Sequence, residues 1–389
     1  MKFSPNIHLA YSTNIHPAER WEETFDALRK YTNSVRKTVA GSKRFGIGLR
    51  LSARAAKELQ DKSQLLSFRK WLDENNSYVF TINGFPYGEF HNTCVKEKVF
   101  LPDWSSEERL EYTKVLFDIL SEIVPEDCDG SVSTMPISFK EFNLSSEKLK
   151  TAKANLLRCV DYIERLADKK KRVLHLGIEP EPLGLVETTS EFVDFFGQLL
   201  EMCPDEAQLK RHLGINYDCC HIAIEYEDAN DAITRLVDAG IKVSKIHLSC
   251  AISVIPTKPA LEVLKTFSEP TYLHQTIIKT KDGSLIRVKD LDIALKMAEG
   301  NRIQDMEEWR VHFHIPLYSI PEPPIRSTLF HIQDVMDILK KSPSICSHFE
   351  IETYTFNILP QSFKNRNVVE QLIGEYNFVI NEFNTRGLI

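Results

Sequence analysis

No stretch of this 389-residue chain approaches the roughly 20 consecutive apolar residues that span a bilayer, so no membrane span is expected. The opening Met1-Lys-Phe-Ser-Pro5 lacks the apolar centre of a signal peptide. Positive charge is in short supply: 48 Lys and Arg against 55 Asp and Glu leave a net charge of −7. A nucleic-acid backbone as main partner needs a basic face, and none is expected here. The eight cysteines show no Cys-x-x-Cys spacing, and a disulfide framework does not suit so long a chain without a secretion signal. The adjacent Cys219 and Cys220 read as fillers of small buried slots rather than a redox pair. No Gly-x-Gly-x-x-Gly follows any apolar run, and Gly46-Ile-Gly48 lies inside one, which leaves a dinucleotide fold little support. Low-complexity segments and solenoid-period repeats are also missing. These absences describe a reduced, cytoplasmic protein whose partner is a small-molecule metabolite; they leave its oligomeric state open.

Eight short apolar runs are present: residues 7–11, 45–51, 78–82, 130–134, 173–178, 212–217, 243–248 and 349–354. Most are uniformly apolar rather than alternating, the pattern of strands buried on both faces of a parallel sheet. Amphipathic stretches predict helices over 21–31, 53–74, 106–123, 145–167, 189–203, 228–239 and 331–341. Ser105-Ser-Glu-Glu108 and Thr188-Thr-Ser-Glu191 put hydroxyls before an acidic first turn, a helix-start signal. Eight βα units predict an α/β fold of the closed (β/α)8 TIM-barrel type, one domain over 1–389. Its surplus over about 250 residues falls mainly at 251–325. There, Thr271–Ile278, a turn at Lys281-Asp-Gly-Ser284 and Leu285–Val288 read as a hairpin, and Trp309–Tyr318 as a further strand. This long insertion after strand seven is expected to fold over the barrel mouth.

In such a barrel, chemistry belongs at the C-terminal ends of the strands. Strand five ends in Glu179-Pro-Glu-Pro182 and strand six in Asp218-Cys-Cys-His221. A buried carboxylate is costly without a cation or donor facing it, and two strand tips of this kind predict one shared cation. Glu179 and Glu181 are two apart and share a side; the prolines cannot donate to a ladder and end the strand. His247 is a polar group in the apolar strand seven, and Glu352 closes the ring at strand eight, with Glu350 deeper on the same side. The predicted metal ligands are Glu179, Asp218, His221, His247 and Glu352. Carboxylates mixed with imidazoles suit divalent Mn, Zn, Co or Fe better than Ca. Asn14, Arg50, Asn83, His91, Glu181 and His314 are candidate substrate contacts. Glu181 reads equally as a residue that orients a ligand or pairs with an arginine such as Arg50. His274, His312 and His314 are open between ligand, substrate-contact and structural roles.

Glu-Pro-x-Pro after strand five and acid-x-x-His after strand six resemble the xylose isomerase-like TIM barrels, a superfamily of sugar isomerases, epimerases and endonuclease IV. More narrowly, Asn14-Ile-His-Pro17, Phe45-Gly-Ile-Gly-Leu-Arg-Leu-Ser-Ala-Arg-Ala55, Phe80-Thr-Ile-Asn-Gly-Phe-Pro-Tyr-Gly88, Leu101-Pro-Asp-Trp104 and Glu352-Thr-Tyr-Thr355 resemble the EboE family of the ebo metabolite-traffic cluster. The resemblance implies that Glu179, Asp218 and Glu352 are metal ligands, and that His221 and His247 bind metal or substrate. It also exposes a departure: xylose isomerases carry lysine where this chain has Glu181, which speaks against their hydride-shift chemistry. What remains is an epimerase-type proton transfer on a carbonyl or polyhydroxylated metabolite, with Glu179 or Glu352 as acid/base. The alternative is a non-catalytic binding or trafficking component for a metabolite precursor. An endonuclease IV-like phosphodiesterase stands last, because the chain is acidic.

Overall fold

The computed structural model describes residues 1–3, 6–91, 93–299, 303–361, 363–364 and 366–389. Eight parallel strands form the frame: β1 (Ile7–Tyr11), β2 (Phe45–Arg50), β3 (Ser77–Asn83), β4 (Gly130–Thr134), β5 (Leu174–Ile178), β6 (Leu213–Asp218), β7 (Lys242–Leu248) and β8 (His348–Ile351). They lie in the order β1-β8-β7-β6-β5-β4-β3-β2, and a parallel bridge between Ser12 and Gly48 joins the two ends of the ring. Almost every strand residue is buried, because helices cover the outside and side chains fill the inside. This is why the strands read as apolar runs without alternation.

Two registers carry the chemistry. Asp218 pairs with His247, and His247 with Glu350, across β6, β7 and β8. Neighbours in parallel register point the same way, so the three side chains form one lumenal layer. One irregularity prepares it: the β6–β7 register steps from Ile215–Val243 to Asn216–Lys245, leaving Ser244 as an extra residue. Such a bulge changes which side chains face inward, and above it Lys245 and His247 enter the lumen.

The seven expected helices form, with differences, and shorter ones that were not expected join them at Asn33–Val39, Glu206–His212, Cys219–Ile224, Lys258–Leu264 and Leu291–Glu299. The stretch expected as one helix over 53–74 is two, Ala53–Leu59 and Lys62–Glu74. Asp61 caps the second by accepting from the backbone N–H of Ser63 and Gln64, a competing local bond that restarts the helix. The 21–31 stretch is Trp21–Ala27 followed by a π-helical turn, Leu28–Thr32. A C-terminal helix, Val368–Arg386, opens with an Asn367/Glu370 capping box. Tyr376 and Phe383 of that helix pack on Phe45 and Phe349, with ring centroids 5.5 and 5.3 Å apart, and so cover the barrel seam.

Between β7 and β8 lies a five-stranded antiparallel sheet. Its strands are Ile252–Val254, Thr276–Thr280, Leu285–Val288, Met306–Val311 and Ile325–Ser327. Thr276–Thr280 and Leu285–Val288, at one edge of the sheet, form the expected hairpin, its first strand running from 276 to 280 rather than from 271 to 278, and its turn needs glycine at 283, where φ is +86°. The strand expected over 309–318 stops at Val311, so His312 and His314 lie in the irregular chain that follows it. Ion pairs tie the sheet to the barrel loops. Arg287 reaches Glu187 and Glu225, Lys289 reaches Glu141, and Asp290 reaches Lys96.

Candidate metal centre

Glu179 directly follows β5, Asp218 ends β6, His247 lies near the tip of β7, and Glu352 follows β8. Each is at most 4% exposed, and their ligand-type atoms lie within 4.8 Å of one another. Each carboxylate has one oxygen held by a neutral donor. Glu179 Oε2 accepts from Asn216 Nδ2 at 2.6 Å. Asp218 Oδ1 accepts from Ser249 Oγ at 2.8 Å and from the His221 backbone N–H at 2.9 Å, capping the short helix Cys219–Ile224. Glu352 Oε1 accepts from Asn14 Nδ2 at 2.7 Å and Asn83 Nδ2 at 3.1 Å.

The other three oxygens turn to one point. Glu352 Oε2 lies 2.9 Å from His247 Nδ1, and Glu179 Oε1 and Asp218 Oδ2 each lie 3.2 Å from it. A single N–H satisfies one such oxygen, not three. Burial works against charge on His247, but Glu352, Glu179 and Asp218 around it raise its pKa well above the ordinary value. Burial likewise opposes ionisation of Asp218, and His221 and His247 overcome it, holding the carboxyl well below the usual range. Three carboxylates and an imidazole pre-aimed at one point fit a divalent ion of the Mn, Zn, Co or Fe kind.

Behind His247 is an arrangement that keeps it in place. Its Nε2 lies 3.0 Å from Glu350 Oε2, and the same oxygen pairs with Lys245 in the barrel interior. A carboxylate behind the distal ring nitrogen orients a metal-binding imidazole and raises its basicity.

A second donor group adjoins the first. His312 Nε2 is 3.1 Å from His221 Nε2 and 3.2 Å from His314 Nε2. The opposite nitrogens all face acceptors: His221 Nδ1 faces the Pro180 carbonyl, His312 Nδ1 faces Gln275 Oε1, and His314 Nδ1 faces the Glu352 carbonyl. That places protons on Nδ1 and lone pairs on Nε2. Burial would lower the pKa of His221, but Asp218 and Glu181 raise it, so it can donate to His312. His312 and His314 still turn two lone pairs on each other. Burial pushes the pKa of His312 well below its ordinary value, and His221 and His314 push it further; burial also lowers that of His314. Glu181 and Cys220 complete ligand-type groupings with these histidines, so this set too has the chemistry of a cation site.

The structure therefore brings Glu179, Asp218, His247 and Glu352 together and sets His221 between them and His312. Asn14, Asn83 and Glu181 line the cavity above the centre. Glu181 accepts from Gln275 Nε2 at 2.8 Å, and burial lifts its carboxyl to about 7. The pairing with Arg50 considered from sequence does not form. Arg50 is 3% exposed and bonds Glu19 and the carbonyls of Ala18 and Gly88, so it braces loops and is not among the cavity-lining residues. His91 bonds the Asn14 carbonyl at 2.5 Å and the Tyr272 hydroxyl at 2.8 Å, and it stands outside the cavity wall. His274 is spent on Glu269 and the His312 carbonyl.

Some residues around the centre escaped the sequence reading. Asn216 and Lys245 lie two residues before Asp218 and His247, and Tyr354 two after Glu352; the same period of two that groups Glu179 with Glu181 identifies them. Gln275 carried no local signal.

No protein-family model matches the chain, and no curated protein sequence does. Solved structures do match. L-ribulose 3-epimerase is similar with a TM-score of 0.50 at 10% identity, over 98% of this chain and 95% of that one. A xylose isomerase-like TIM barrel protein from Mycobacterium smegmatis, in complex with magnesium, has a TM-score of 0.50 at 10% identity, over 98% and 97%. The fold is the (β/α)8 TIM barrel that these structures share. In this barrel the candidate centre occupies the C-terminal strand ends, where the fold class places its chemistry.

Proposed function

We propose that this protein is a metal-dependent isomerase or epimerase that moves a proton on the carbon beside a carbonyl of a small metabolite. The observation that carries this is the convergence of three buried carboxylate oxygens on His247 Nδ1, each with its partner oxygen already held. Glu179, Asp218, His247 and Glu352 would hold one divalent ion, and His221, His312 and His314 a neighbouring one. A bound ion of this kind supplies Lewis-acid polarisation of a carbonyl oxygen. Glu179 and Glu352 are assigned the proton transfers, and Asn14, Asn83 and Glu181, which line the cavity, the positioning of substrate oxygens. Glu181, with its carboxyl at about 7, holds or takes a proton near neutrality, as a general acid or base requires. The sheet spanning 252–327 is assigned the exclusion of water from the mouth. Similarity to a sugar epimerase fold supports this reading without setting the substrate. Membership of the EboE family, and a place in metabolite traffic, rest on the sequence strings quoted above.

The test is exchange. Protein loaded with Mn²⁺ is incubated in D2O with hydroxyacetone, L-ribulose and D-tagatose, and proton NMR follows the carbon next to the carbonyl. Solvent deuterium is expected there, and Glu179→Gln is expected to abolish its uptake. No exchange, no divalent metal by elemental analysis and no metal-dependent thermal shift would overturn the proposal. The second donor group favours one other reading, since two adjoining ions also serve phosphodiester hydrolysis. Cleavage of bis(p-nitrophenyl) phosphate in place of exchange would establish it.

A further inference from the structure

The residues lining the cavity over the donor centre divide into a polar set at the strand ends and a largely apolar set from the loops. Its floor carries Asn14, Asn83, Glu179, Glu181, His312 and Glu352. Facing them is a wall of Phe85, Pro86, Phe90, Val95, Val99 and Leu273. Phe90, Tyr272 and Tyr354 come from three separate loops and close into a triangle, with ring centroids 5.0, 5.3 and 5.1 Å apart. With Val95 they form an apolar cluster separate from the main core.

The polar atoms on this wall are already engaged. The Tyr272 hydroxyl bonds His91 Nδ1 at 2.8 Å. Lys96 Nζ donates to Asp290 Oδ2 at 2.6 Å and to the Glu269 carbonyl at 3.1 Å. The Tyr354 hydroxyl lies 3.5 Å from His312 Nε2 and so belongs to the floor. A sugar can stack its C–H face on an aromatic ring, yet each hydroxyl that leaves water still needs a partner, and an unmade bond is costly. Among the described residues this wall leaves only the third N–H of Lys96 and the accepting side of the Tyr272 hydroxyl, too few for a polyol. An apolar body gains from the same surface simply by leaving water.

We infer that the substrate carries two neighbouring oxygens at one end, for the donor centre, and a flat apolar body at the other, and that free sugars are disfavoured. This rests on the proposed metal centre, deepens it, and departs from the sugar chemistry named for a similar fold.

Isothermal titration of the Mn²⁺-loaded and metal-free protein with three ketols separates the two ideas. Hydroxyacetone carries the oxygen pair alone, 2-hydroxyacetophenone adds a phenyl ring, and D-tagatose adds a polyol. The aromatic ketol is expected to bind at least tenfold more tightly than hydroxyacetone, and D-tagatose no more tightly, all dependent on Mn²⁺. Leu273→Asn is expected to cut the tenfold preference below threefold; the wild-type ranking stands alone if that variant misfolds. Mn²⁺-dependent binding that is flat across the series, or tightest for D-tagatose, overturns the apolar wall and leaves the centre standing. Affinities that Mn²⁺ does not change overturn the centre, and this inference with it.

Discussion

Glu350 pairs in register with His247 and touches the donor centre from behind, through the His247 Nε2. Burial opposes its charge, but Lys245 beside it prevails and holds the carboxyl at about 2. Glu350→Gln weakens the hold on the His247 ring, so Mn²⁺ affinity measured by titration calorimetry should fall 10–100-fold, the usual cost of losing such a partner. Gly48 makes room for the same carboxylate: a Cβ there would stand 2.0 Å from Glu350 Oε1. Gly48→Ala is therefore expected to displace Glu350 and lower Mn²⁺ affinity in the same direction. Glu375, on the C-terminal helix, is fully buried, accepts from Thr353 Oγ at 2.6 Å and is lifted by burial to about 7. Its folded pKa lies above its unfolded value near 4.5, so the folded state keeps a proton that the unfolded chain releases. Its contribution to stability is present below about pH 4.5 and is lost as pH rises toward 7. Glu375→Gln should flatten the denaturant-measured stability profile in that window, by up to about 1.4 kcal/mol per pH unit. At this scale the strand-end acids were legible because a carboxylate at the tip of an apolar strand has no packing role. Gln275, and the bonds that the Asn14 and Asn83 amide nitrogens donate to Glu352, were not, since amides are common in loops and the partners lie 94 residues away for Gln275 and Glu181 and 269 or more for the two asparagines.

The sheet between β7 and β8 is held to the barrel by charge. Arg287 bridges Glu187 at 2.9 Å and Glu225 at 2.6 Å, and burial raises the Glu225 carboxyl to about 8, with Glu187 beside it adding to the shift. Arg287→Ala takes from the buried Glu225 the cation that faces it, beside a Glu187 that keeps Lys140. Because Arg287 is about a third exposed, the cost is expected to be below the roughly 3–5 kcal/mol of a fully buried pair. Faster hydrogen exchange across 276–288 with unchanged exchange in β5 would show it. Helix 189–202 begins with a complete Thr188/Glu191 capping box, and Thr188→Ala should cost about 1 kcal/mol in a denaturant titration. Both the box and the hairpin were readable, because caps and turns are local bonds between near neighbours. The break at Asp61 and the end of the strand at Val311 were harder to read, since apolar periodicity continues through both while the hydrogen bonding does not.

The lumen of the whole barrel collects Glu179, Asp218, Glu350 and Glu352 around His247, so binding of the proposed ion would be coupled to folding. Mn²⁺ at a hundred times its Kd should add about 2.7 kcal/mol to stability. Calorimetric Tm should therefore rise with Mn²⁺, fall back with EDTA, and respond less as pH drops and ligands take up protons. Strand order, the eight βα units and the donors at strands five to eight were determined by the sequence itself, because burial on both faces and carboxylate placement leave marks a few residues long. Tertiary structure alone decided the rest. It set the bulge that turns Lys245 and His247 inward, chose which oxygen of each acid is tied and which is free, and carried His312 and His314 from the second sheet to His221. Those choices depend on register between strands and on contacts across about 90 residues of chain, distances over which a linear pattern carries no geometric information.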